Sequence, residues 1–73
     1  MFVTVYALCE LIDKRIGYLQ DARQSDLYTL DYEKNMQQAL LNNLEHLKSK
    51  SFNHKLIARY ERKVNKVIKG VKI

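Results

Sequence analysis

The sequence predicts an all-α protein, an antiparallel three-helix bundle of long amphipathic helices. Three observations predict it. Apolar residues recur at helical steps of three and four in three successive segments. There is no proline, and the only glycines are Gly17 and Gly70, which leaves few places for the chain to reverse. Apolar residues make up 47% of the chain, too many for a disordered one.

The first helix is expected over residues 4–23. Val5, Cys9, Ile12, Ile16 and Leu19 follow one another at steps of four and three, and Leu8, Leu11 and Tyr18 widen that stripe. Glu10, Asp13, Lys14, Gly17, Gln20 and Asp21 fall on the opposite face, and Thr4 is the N-cap candidate. Phe2 to Tyr6 also alternates in the manner of a strand, but nothing later in the chain offers that strand a partner edge. Between Asp21 and Asp31 the pattern loosens among Ser25, Asp26 and Thr29, residues that form local side-chain turns. The first reversal falls there, with Leu27 and Leu30 expected to tuck against the core.

The second helix is expected over residues 31–48, with Met36, Leu40, Leu44 and Leu47 inward and Tyr32, Ala39 and Leu41 flanking. Asp31 and Glu33 in its first turn and Lys48 in its last suit the helix dipole. A third helix over residues 54–69 carries Ile57, Tyr60, Val64, Val67 and Val71, with Leu56 and Ile68 alongside. Asn53 is its N-cap candidate, with Phe52 and Ile57 placed for a hydrophobic staple, and Gly70 is its stop. An alternative arrangement is a helical hairpin whose third helix packs in a dimer.

A chain of 73 residues is expected to form one domain with a thin core, so its stability must come from well-packed helices or from association. Cys9 is the only cysteine, which excludes an internal disulfide and suits a reducing, cytoplasmic setting. Its place in the first stripe predicts a small, buried core thiol. No uncharged run reaches the roughly 20 residues of a transmembrane helix. The first residues also lack the basic start and small-residue cleavage site of a signal peptide.

Charge is divided unevenly along the chain. Residues 1–47 carry four basic and seven acidic side chains, a balance of −3, whereas residues 48–73 carry nine basic ones and only Glu61, a balance of +8. Lys55, Arg59, Arg62, Lys66 and Lys69 repeat at steps of four and three, nearly opposite the apolar stripe of the third helix. Such a ridge suits a sequence-independent attraction to phosphates. It suits an acidic lipid surface or an acidic protein groove as well, and a merely solvated, solubilising face is the plainer alternative.

No catalytic or metal-binding constellation is present, and no cofactor is implied. There is no zinc-protease motif, phosphate-binding glycine loop or nucleophile elbow. His46 and His54 stand eight residues apart across a predicted break, which suits two surface histidines better than a metal site. Of the tyrosines, Tyr18 and Tyr60 are expected in or beside the core, and Tyr28 is the candidate exposed anchor. The leading expectation is a non-enzymatic helical interaction module, a homo-oligomer that modulates a larger protein partner. Phe2, Val3, Tyr6 and Leu11 supply its surplus apolar surface, with Tyr28 a further interface candidate. A nucleic-acid accessory protein using the basic ridge is the first alternative, and peripheral membrane association through the third helix the second.

Overall fold

Each helix begins on a side chain that satisfies one of its otherwise unpaired N–H groups. The computed structural model describes residues 4–70. Within them the first helix, α1, runs Val5–Arg23, and its Ala7 N–H donates to Thr4 Oγ1 at 3.0 Å. The second, α2, runs Leu30–Lys50, with Tyr32 N–H donating to Thr29 Oγ1 at 3.1 Å. The third, α3, runs His54–Lys69 and is capped by Asn53, whose Oδ1 accepts from Leu56 N–H at 3.1 Å.

Two boundaries of α2 differ from the sequence expectation, both by outward extension. Thr29 rather than a later residue is the cap, so Leu30 is already helical. At the other end Ser49 does not break the helix, because its hydroxyl donates to the His46 carbonyl at 2.7 Å within the same turn. The chain leaves α2 only at Ser51, which is extended. Gly70 stops α3 as expected, but with φ of −75°, so no left-handed residue is needed there.

The side chains that meet across the helices fix their directions. Arg15 Nη1 donates to Asn43 Oδ1 and Arg23 pairs with Glu33, so α1 and α2 run antiparallel. Asp13 meets Tyr60 and Lys63, and Arg23 at the end of α1 lies beside Gly70 at the end of α3. The first and third helices therefore run parallel, and the chain goes up, down and up again. The third helix packs on its own chain, as a bundle requires and the hairpin alternative does not.

The core is the set of inward stripes: Leu8, Cys9, Ile12 and Leu19 of α1, Leu40, Leu44 and Leu47 of α2, and Tyr60, Val64 and Val67 of α3. Val5, Ile16, Met36, Leu56, Ile57 and Ile68 pack around it, half-buried. Full burial of one such aliphatic side chain is worth about 2 kcal/mol, so the packing, and not the helix propensity of the valines, holds α3 in place.

Four expectations for side chains are corrected. Leu27 and Leu30 do not tuck against the core, being 88% and 54% exposed. The Leu27 N–H is captured by Ser25 Oγ at 3.1 Å, which fixes a local turn, and the inward place there is taken by Tyr28. Phe52 is 93% exposed and makes no staple, because Ser51 Oγ accepts from Asn53 N–H and turns the intervening residue outward. Tyr18, expected in or beside the core, is 59% exposed. Tyr28 is half-buried and engaged through its hydroxyl, so it is not a free anchor.

Candidate polyanion-binding face

The outer side of α3 carries a row of cations. At 100° per residue, Tyr60, Val64 and Val67 point inward, and Lys55, Arg59, Arg62, Lys66 and Lys69 point the opposite way. All five are exposed. From Lys55 to Lys69 the row is about 21 Å long at 1.5 Å per residue. No salt bridge among the described residues engages any of the five.

The neighbouring charges that would quench the row are tied elsewhere. Glu61, the one acid of α3, is drawn toward α2 by Lys48, whose Nζ lies 2.8 Å from Glu61 Oε2 and 3.7 Å from Glu45 Oε1. The contact with Glu61, ahead of a smaller cost of burial, holds the Lys48 ammonium above its ordinary pKa. Lys63 lies just off the row and turns to α1. Its Nζ is 3.0 Å from Asp13 Oδ1 and 4.8 Å from the centroid of the Tyr60 ring. Tyr60 donates its hydroxyl to Asp13 Oδ2 at 2.8 Å. Burial first, and then that carboxylate, push the Tyr60 phenol well above its ordinary pKa.

Asn53, Lys55, Leu56, Arg59 and Arg62 line a shallow depression of about 350 Å³ at the N-terminal end of the row. A longer groove of about 460 Å³ runs between α1 and α3 past Asp13, Gln20, Arg23, Lys63 and Lys66. Two of its cations, Lys63 and Arg23, already hold carboxylates, so the outer row remains the surface with unengaged positive charge.

The remaining sequence candidates are scattered. Phe2 and Val3 lie outside the described residues. Tyr6 is 78% exposed on the α3 side of α1, where it lines a depression with Val5, Cys9 and Leu56, whereas Leu11 is half-buried on the α2 side. Cys9 is buried. His46 and His54 are both exposed, and no group of three or more His, Cys, Asp or Glu among the described residues is placed to hold a metal ion. No described helix is long and apolar enough to cross a membrane.

Sequence reasoning missed the polar cluster at the α1–α2 turn. Glu33 is buried, and its two oxygens accept from Arg23 Nε and Nη2, Tyr28 Oη and Gln37 Nε2, all within 2.8 Å. The Arg23 guanidinium, ahead of the opposing effect of burial, holds this carboxyl at a pKa of about 2 against the ordinary 4.5. The i,i+4 pair Glu33–Gln37 was legible, but not the reversal geometry that delivers Arg23 and Tyr28 to it.

The fold and this face define a three-helix bundle that carries a basic outer helix. No family model, curated protein or solved structure matches the chain.

Proposed function

We propose that the protein is a non-enzymatic binding module that holds the phosphate backbone of a nucleic acid on the outer face of α3, without reading base sequence. The observation that carries this reading is the row Lys55, Arg59, Arg62, Lys66 and Lys69, all exposed and none in an ion pair among the described residues. The row consists of Lys and Arg alone, with no Asn or Gln among its members to read base edges.

Two competing ligands fit less well. A helix that lies in a membrane interface buries its apolar face among acyl chains, but the apolar face of α3 is engaged in the protein core. A protein interface has apolar or aromatic anchors at its centre, and the outer row has none. A second reading remains for the other side of the molecule: the exposed Leu27, Tyr18 and Tyr32 near the α1–α2 turn favour a docking surface for protein. On either reading the protein associates with itself or a partner to supplement a thin core, and the single reduced Cys9 suits the cytoplasm.

The test is retention of the purified protein on immobilised duplex DNA at low salt, compared with the variant Arg59→Glu/Arg62→Glu. Retention of the wild type, lost in the variant and at high salt, is the expected result. A wild-type protein that passes through at low salt overturns the proposal.

A further inference from the structure

The turn between α1 and α2 is acidic where α3 is basic. Asp21, Asp26 and Asp31 are exposed there, and no salt bridge among the described residues engages them. Of the cations at this end, Arg23 is turned inward to Glu33, and Lys34 is exposed one turn after Asp31. The same turn carries apolar surface: Leu27 stands almost fully exposed beside a shallow depression of about 300 Å³ walled by Ala22, Ser25, Tyr28 and Tyr32. Exposed apolar area on a segment with a surplus of one charge is a recognition surface that favours an occupant of the opposite sign.

That occupant must be cationic and must also cover a leucine. Lys and Arg do both, because their aliphatic stems lie along apolar surface while the charged heads reach carboxylates. We propose that the occupant is the basic row of α3 from a second copy of this chain. Within one molecule no ion pair among the described residues joins the row to these aspartates, although Lys66, at the C-terminal end of the row, lines the groove between α3 and α1. A two-fold pairing of the turn with itself would set Asp21, Asp26 and Asp31 of one copy against the same residues of the other. The unlike charge that the turn requires is supplied by α3 of another copy.

The contact joins unlike surfaces, so two copies satisfy it either reciprocally, row to turn and turn to row in a two-fold pair, or head-to-tail in a longer chain. It is held by opposite charges near solvent, so salt dissolves it. Because the same row would hold a polyphosphate, nucleic acid and self-assembly exclude each other. This exclusion rests on the proposed function, whereas the row-to-turn contact does not.

Sedimentation of the full chain tests the contact, using two variants that change only exposed side chains. Arg59→Glu/Arg62→Glu removes the row, and Asp21→Asn/Asp26→Asn/Asp31→Asn neutralises the turn. The wild type at low salt is expected to exceed its 8.7 kDa monomer mass increasingly with concentration, and to return to it at high salt. Each variant alone is expected to stay monomeric. Mixed in equal amounts they are expected to form a pair and go no further, because the mixture has one intact row and one intact turn per pair. Circular dichroism confirms that both are folded.

A wild type that stays monomeric at all concentrations overturns the contact, as does assembly that survives either set of substitutions. The Asn variant keeps its row, so its binding to a duplex reports on the proposed function separately. Duplex binding by a monomeric wild type sinks the row-to-turn contact and leaves that function standing.

Discussion

Arg23 presents Nε and Nη2 to the two carboxylate oxygens of Glu33, each at 2.8 Å, and so clamps the last turn of α1 to the first turn of α2. Glu33 is nearly solvent-free, so the pair is charge-assisted, bidentate and little screened. Arg23 also lies beside Gly70, where a cation complements the negative end of α3. One guanidinium thus stands at the meeting point of all three helices.

A consequence is acid sensitivity. Glu33 has a folded pKa of about 2 and an ordinary value of 4.5, so its contribution is complete above pH 4.5 and is lost as pH falls from 4.5 toward 2. The shift corresponds to a contribution on the order of 3 kcal/mol at neutral pH. Denaturant unfolding of the wild type at pH 7 and pH 3 is expected to show this loss. Glu33→Gln is expected to lower stability by about 2 kcal/mol at pH 7 and to flatten the difference between the two pH values. An unchanged acid slope in that variant would show that other carboxylates cause it.

Helix starts and interiors give a second measurement. Thr29→Ala is expected to cost about 1 kcal/mol, because its hydroxyl caps α2. Gly17→Ala is expected to stabilise by roughly 0.5–1 kcal/mol, since Gly17 is mid-helix and an added Cβ meets nothing within 4 Å. Thermal unfolding of both variants checks the pair. A destabilised Gly17→Ala contradicts the open space beside α1.

Cys9 is buried between the stripes of α1 and α3. The native thiol is expected to react slowly with an aromatic disulfide reagent and quickly once the protein is unfolded. Cys9→Ser is expected to cost about 1–3 kcal/mol, the penalty for a buried hydroxyl that lacks a partner. Fast modification of the folded protein contradicts this placement.

Leu27 and Leu40 separate surface from core. Leu40→Ala is expected to cost about 3 kcal/mol through lost burial and a residual cavity. Leu27→Gln is expected to change stability by less than about 0.5 kcal/mol, because the side chain already meets water. Equal losses in the two would place Leu27 in the core after all.

Much of this molecule was legible in the sequence where one periodicity decides the outcome. The stripes Val5–Cys9–Ile12–Ile16–Leu19 and Tyr60–Val64–Val67 are inward, and Thr4 and Asn53 are caps, because helical spacing and short polar side chains act locally. The basic row was legible for the same reason. What failed lies at the reversals. Leu27 and Phe52 are apolar and sit near the core in sequence, but turn hydrogen bonds at Ser25 and Ser51 set their directions, and Leu30 is exposed in the first turn of α2. Glu33 was read only as a first-turn acid that suits the helix dipole, since nothing in the local pattern shows that Arg23 and Tyr28 converge on it.

The salt dependence of duplex binding tests the central claim most directly. Affinity for a short DNA duplex is to be measured over a range of salt for the wild type and for Arg59→Glu/Arg62→Glu. The wild type is expected to lose affinity steeply as salt rises, equally for unrelated sequences, because each neutralised phosphate releases close to one counterion. The variant is expected to bind weakly, with a slope shallower by about 2, and to fold normally because both positions face solvent. Tight binding that ignores salt, or an unchanged slope in the variant, would contradict the assignment of the outer face of α3 as the binding surface.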